Sequence, residues 1–335
     1  MRPSFHCQLL NSPFADPGML VHLAFQKRSL LFDLGDLSAV PAADLLKVDH
    51  IFVTHTHMDH FIGFDQILRL FLGRSKRLHL YGPKGFLKNV AGKLSAYTWN
   101  LVRNYEEALE LEVSEIEGDR KITQTFNCSE GFKPSSLPQV QDIDKVLHQE
   151  QALSVSAVIL DHQIPCLSFN LQERFHINIL KSQLEELCLG IGSWIKSFKK
   201  LLYAGADPST EIRVPSSLPN QQPQTFTVEE LSTKVARISR GQKIAYVTDA
   251  IYTPANEEKI ISLSHGGDHL FIEAAFLDKD RDIAQAKYHL TARQAGHIAR
   301  KACVRRLTVF HFSPRYTDAG SLLEAEAQMA FEGLI

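Results

Sequence analysis

Apolar and polar residues alternate along the first third of the chain with the two-residue period of half-buried strands. The runs are FHCQLL from Phe5, MLVHLAF from Met19, RSLLFDLGD from Arg28 and HIFVTH from His50, separated by turn residues. The period then changes. FDQILRLFLG from Phe64 puts Ile67, Leu68, Phe71 and Leu72 on one stripe and predicts a helix. LHLYGPKG predicts a strand running into a turn, KGFLKNVAGKL a second helix, and LELEVSEI with KITQTFNC a strand pair joined across EGD. ALSVSAVIL and CLSFNLQ are strands that flank DHQIP. ILKSQLEELCLGIGSWIKSFKKLL turns helical, and PSSLPNQQPQTFT reads as an exposed loop. The last third alternates strand and helix: KIAYVTDA, EEKIISLS, HLFIEAA, TARQAGHIARKACV, RLTVFHF, SLLEAEAQMAFEG. Two strand-rich halves whose strands are followed by helices predict an α/β protein, a four-layer αββα sandwich. It reads as a single domain over 1–335 with an insertion at about 182–225.

Composition excludes several classes. With 335 residues, 44% hydrophobic and 22% charged, the chain can bury a sizeable core. A formal net charge of −2 offers no global positive field to a nucleic acid, although local basic patches can suffice. The five cysteines are scattered and form no CxxC pair, which argues against a disulfide framework or thiolate zinc and fits a reducing cytoplasm. No stretch approaches the roughly 18 apolar residues of a membrane span, and the N-terminus has no signal-peptide run.

The densest chemistry lies in VTHTHMDHFIG, which puts His55, His57, Asp59 and His60 within six residues, where a buried-type strand gives way to a helix. Neutral imidazoles with a carboxylate suit zinc, manganese or ferrous iron. Four such groups on one tight strand-end loop can point at two adjacent ions. A solvated polar loop with chance histidines is the bland alternative, and the spacing argues against it.

HTHMDH followed two residues later by Gly63 resembles the HxHxDHxxG motif of the metallo-β-lactamase superfamily. The resemblance implies that His55 and His57 serve one metal and Asp59 and His60 a second. It also implies a lone His, a bridging Asp and a final His at later strand ends, which His162 in LDHQIP, Asp249 in YVTDA and His311 in VFHFS supply in order. Asp33 in FDLGD resembles the superfamily's first-sheet Asp, which orients a ligand histidine; a turn aspartate is the equal alternative.

LYGPKG, IEAAF at Glu273, YHLTARQAG at His289 and HFSPRY with His311 and Arg315 are similar to segments of the ribonuclease Z branch, endonucleases that trim tRNA 3′ ends. The helical middle resembles the arm with which those enzymes grip tRNA. The similarity spans roughly residues 30–316. It implies a phosphodiesterase working through a two-metal-activated hydroxide, with Asp59 steering a proton, His289 as general acid, Glu273 orienting His289, and Arg315 on a substrate phosphate. Precursor tRNA would then be the partner, two divalent ions (zinc foremost) the cofactors, and a homodimer a family habit. Some features depart from the branch. SPFADPGMLV holds no basic residue where the branch carries a Pro-x-Lys-x-Arg-Asn loop, and the arm's tip is reduced to GIGSW. The missing basic loop favours an alternative with the same metals, hydrolysis of a small phosphodiester, cyclic nucleotide or aryl sulfate ester, while the retained arm-like segment favours the RNA reading. In the arm, Lys196, Lys199 and Lys200 accompany Trp194 and Phe198, a pattern that suits a nucleic-acid backbone or a plain solvated face.

Overall fold

The computed structural model describes residues 3–24, 26–134 and 137–335; the first two residues and Phe25, which ends the MLVHLAF run, lie outside them. Contacts divide the chain into two compact units. The larger holds Pro3–His148, Val155–Leu171 and Lys243–Ile335. The smaller holds 149–154 and 172–242, a wider span than the insertion predicted at 182–225.

In the larger unit an eight-stranded sheet keeps sequence order: β1 (Phe5–Leu9), β2 (Met19–Leu23), β3 (Ser29–Phe32), β4 (Val48–Phe52), β5 (Lys76–Pro83), β6 (Leu109–Glu117), β7 (Arg120–Asn127) and β8 (Gln139–Asp142). Strands β3 to β6 run parallel, and the flanking pairs are antiparallel. The next strands are β9 (Val146–Gln149), β10 (Leu153–Asp161) and β11 (Pro165–Glu173). The smaller unit contributes β12 (Phe175–Ile179), β13 (Glu211–Val214), β14 (Gln224–Thr227) and β15 (Ala236–Arg240). Last come β16 (Lys243–Val247), β17 (His269–Glu273) and β18 (Leu307–Phe310). The second large sheet has the order β18-β17-β16-β11-β10-β9, with β16, β17 and β18 parallel.

Strand alternation assigns each residue to a layer. Phe32 and Phe52 stack at 5.1 Å on the first sheet, and each meets Phe169 of β11 at 5.6 Å. Phe32 also lies 5.9 Å from Tyr246 of β16, whose ring stacks on Phe310 of β18. These aromatics form the seam between the sheets. Their neighbours point the other way. Ile51 and Val53 pack with Phe64, Ile67 and Phe71 of the helix Phe64–Phe71 and with Phe86, Val90 and Leu94 of the helix Phe86–Ser95. On the second sheet Val247, Ile272 and Val309 pack under Ile260, Ile298 and Leu323, from the helices Pro254–Ser264, Ala292–Lys301 and Gly320–Glu332. The four layers are therefore those the sequence predicts.

Gly63 is required by space rather than by its φ. A Cβ there would meet the Gly35 carbonyl oxygen at 2.3 Å, so any larger residue would push the motif's helix away from the loop after β3.

Two predictions fail in the smaller unit. The continuous helical reading breaks into Lys181–Glu186 and Trp194–Ala204, because Gly190 and Gly192 interrupt the apolar stripe. The PSSLPNQQPQTFT loop ends in β14, paired antiparallel with β13; being largely exposed, it carries a strand's pairing with a loop's composition. Trp194 and Phe198 are buried in this unit's own core, with Trp194 donating from Nε1 to the Gly190 carbonyl at 2.8 Å. They anchor the segment and are not free to stack on a base. Lys196 and Lys200 are exposed; Lys199 is half-buried, and burial lowers its pKa against the opposing pull of Glu173.

Candidate metal centre

Six residues of the larger unit reach one place because each lies at the end of a strand or in the few residues just beyond it. Asp33 follows β3, His55 lies just beyond β4, and His162 stands just after β10. Asp249 lies two residues past β16, Glu273 closes β17, and His311 follows β18. Three of these, Asp33, Asp249 and His311, hold left-handed backbones with φ of 57°, 36° and 59°. Side chains other than glycine's rarely sit there, and such strain is retained where surrounding packing and function over-determine it.

The carboxylate of Asp249, 2% exposed, is the focus. Its Oδ2 lies 3.5 Å from His55 Nε2, 3.3 Å from His162 Nε2 and 3.5 Å from His60 Nε2, and its Oδ1 lies 2.9 Å from His311 Nδ1. Two donor sets result. His55, His57, His162 and Asp249 offer ligand atoms within 4.8 Å of one another, and so do Asp59, His60 and His311. Asp59 Oδ2 stands 3.2 Å from His311 Nε2 and 3.5 Å from His60 Nε2. Asp249 borders both sets.

Neighbours fix which nitrogen each imidazole presents. His60 Nδ1 donates to Asp33 Oδ2 at 3.0 Å, leaving Nε2 inward. His162 Nδ1 donates to the Tyr288 carbonyl at 2.7 Å. His55 Nδ1 lies 3.1 Å from Thr54 Oγ1. Asp33 is itself held by Thr54, whose backbone N–H and hydroxyl donate to it, and by the Tyr246 hydroxyl at 3.1 Å. A turn aspartate would not collect these buried donors. Nothing in the local sequence marks Thr54, Tyr246 or Tyr288 as supports, because their bonds to Asp33 and His162 join segments far apart in the chain.

The donor set fits a divalent cation on two grounds. Among the described residues His55 Nε2 and His60 Nε2 are buried without a hydrogen-bond partner, an arrangement that is costly unless something else uses the lone pairs. The electrostatics agree. Burial would raise the Asp249 pKa, but His311 and His60 hold it well below the carboxylate range; the same opposition, with His311 and His60 outweighing burial, lowers Asp59. Burial and the nearby His60 push His55 down to about 2, whereas His60, despite burial, rises to about 10 between Asp249 and Asp33. Ionised carboxylates facing imidazoles call for positive charge at the centre.

His289 stands beside this cluster, its ring 5.1 Å from that of His162 and 5.6 Å from that of His311. Its Nδ1 donates to Glu273 Oε2 at 2.8 Å, and Glu273 Oε1 accepts from the Ala250 N–H at 2.6 Å. Glu273 is fully buried, so it aligns His289 and the backbone next to Asp249 together. Thr291 starts the following helix through a capping box with Gln294, which fixes the loop carrying His289. Arg315 is exposed on the short turn Pro314–Tyr316 and is not among the groups converging on Asp249.

Comparison with known proteins agrees with this architecture. Residues 31–156 match the model of a beta-lactamase superfamily domain. The chain is 29% identical over 297 residues to a ribonuclease Z of Deinococcus radiodurans, covering 87% of this chain and 84% of the relative. It is 27% identical to a ribonuclease Z of Nanoarchaeum equitans, covering 91% and 80%. Among solved structures, the metallo-beta-lactamase fold protein YhfI of Bacillus subtilis superposes with a TM-score of 0.54 at 15% identity, over 98% of this chain and 93% of that one. Human tRNase Z, short form, superposes with 0.51 at 17%, over 94% and 93%. No described helix is long and apolar enough to cross a membrane. The chain thus has the metallo-β-lactamase fold, with a histidine–carboxylate cluster suited to divalent metal, and over most of its length it resembles ribonuclease Z.

Proposed function

We propose that this protein is a metal-dependent phosphodiesterase of the ribonuclease Z kind, an endonuclease that acts on RNA at the 3′ end of precursor tRNA. The observation that carries the reading is His289, held by Glu273 beside the cluster centred on Asp249: a proton donor set against a metal site. His55, His57, His162 and Asp249 would hold one divalent ion, and Asp59, His60 and His311, with Asp249 beside them, would hold a second; imidazoles with carboxylates favour zinc. When bound, such a pair neutralises charge on a phosphoryl group and makes water nucleophilic near neutral pH. Asp59, ionised and partly exposed, accepts and steers the nucleophile's proton. His289 gives its proton to the leaving oxygen, and Arg315 holds a flanking phosphate.

His289 must be protonated to act as the acid. Burial lowers its pKa, but the Glu273 carboxylate more than offsets this and the net shift is upward. The rate therefore falls as pH rises through this raised value. Glu273→Gln keeps an oxygen for the Ala250 N–H but removes the charge, so burial prevails. The high-pH limb of kcat is expected to move down by about one unit or more. An unmoved limb would mean that another group supplies the proton. The same pair links to stability. With its pKa raised on folding, His289 stabilises the fold below the unfolded value of about 6.5, and this is lost as pH rises through the folded value.

A second reading, hydrolysis of a small phosphodiester, is favoured by one feature: residues 12–21, SPFADPGMLV, hold no basic side chain. One assay separates the two. Protein purified without chelator is given precursor tRNA carrying a 3′ trailer and, in parallel, bis-para-nitrophenyl phosphate. We expect about two equivalents of metal per chain, cleavage of both substrates, loss of both with chelator and recovery with zinc. Cleavage of the small substrate alone would move the assignment to the second reading, and failure to bind zinc would overturn both.

A further inference from the structure

Tyr288 precedes His289 and adopts φ of 60°, and Gln163, which follows His162, adopts φ of 62°. Neither is glycine, so both hold backbones that their side chains disfavour. The two are tied together across the site: Gln163 Nε2 donates to the Tyr288 hydroxyl at 3.0 Å, while the Tyr288 carbonyl accepts from His162 Nδ1 at 2.7 Å. The Tyr288 ring stays half-buried, its centroid 6.4 Å from that of His162 at an interplanar angle of 86°. The carbonyl contact could be made by any residue, so it does not account for an aromatic ring whose hydroxyl is pinned in place. Backbone strain kept at such a point is the mark of a selected position.

From this geometry, and resting on the proposed reading as an RNA phosphodiesterase, we infer that Tyr288 is a specificity-determining residue: an aromatic platform on which the nucleobase of the nucleotide bearing the leaving oxygen stacks. The side of the scissile bond follows from the chain. Water attacks phosphorus and the bond to O3′ breaks, so the leaving oxygen that His289 protonates belongs to the last nucleotide kept on the tRNA, and that nucleoside lies on the His289 side; the Tyr288 ring borders His162, whose own ring is 5.1 Å from that of His289. The Gln163 bond holds that ring in one orientation and so reduces the ordering needed when a base arrives. Stacking on an aromatic side chain is sequence-tolerant, because every base has a π-face. Tyr288 should therefore discriminate a base from no base, and not one base from another.

The test compares two precursor tRNAs that differ only at the last nucleotide before the cleavage site, one normal and one abasic. The parent enzyme is expected to cleave the normal substrate with a KM about tenfold lower than that of the abasic one. Tyr288→Gly should remove this difference by weakening only the normal substrate, and Tyr288→Phe should largely restore it. Glycine relieves the strained φ and keeps the carbonyl that accepts from His162, so the variant folds with its metal content unchanged. The same contrast should appear in equilibrium binding of the two RNAs to His289→Ala backgrounds, with and without Tyr288→Gly. If the parent cleaves both RNAs with equal KM, or if Tyr288→Gly slows both alike, Tyr288 merely positions the loop and the inference is wrong. A parent that cleaves no RNA overturns the functional reading on which the inference rests, and the inference with it.

Discussion

Replacing Asp249 by alanine is expected to lower phosphodiester hydrolysis on the order of 10³–10⁵-fold, the rate equivalent of several kcal/mol of transition-state stabilisation. The reason is geometric. Asp249 Oδ2 stands 3.3–3.5 Å from nitrogens of His55, His60 and His162, and its Oδ1 2.9 Å from His311, so a single carboxylate borders both donor sets. Without it His55, His57 and His162 face one another with no carboxylate left in their set, and metal retention should fall along with rate. Elemental analysis beside steady-state kinetics checks both halves. Asp249→Ala protein with full metal content and parental kcat would show that the carboxylate is structural.

His289→Ala should separate the same two quantities. We expect kcat to fall about 10²–10⁴-fold, the usual worth of a positioned acid, with metal content unchanged. The opposite result has a structural basis too, since Asp249, Glu273, His289 and His311 also place ligand atoms within 4.8 Å of one another. Loss of metal on replacing His289 would make it a ligand. The Glu273 bond fits either role, since His60 donates to Asp33 in the same way, so metal content decides the assignment.

How much of this was legible in the sequence varied with the distance over which each feature is encoded. The four layers follow from period-two and helical-period patterns, which are local, and the cluster His55, His57, Asp59 and His60 lies within a single turn of chain. His162, Asp249 and His311 were placed by family resemblance, and the structure puts their side chains beside that turn. The supports were not legible. Tyr246 reaches Asp33 across 213 residues, and nothing near either residue marks the bond. In the smaller unit, Gly190 and Gly192 broke a helix that the apolar residues alone extended, and β14 hid behind its polar composition.

The placement of the site at strand termini limits how such a chain can vary over time. Connections between strands can lengthen or shorten at little cost, as loop closure depends only weakly on length. The last residues of β3, β4, β16 and β18 have no such freedom. A single residue gained or lost inside β16 would send Asp249 to the opposite face of its sheet, since successive side chains alternate. Insertions should therefore gather in the connections, as the span 172–242 does between β11 and β16, while the strands keep their lengths. The chemistry is thus indexed to strand length, and new substrates can be acquired in the connections without renumbering the centre.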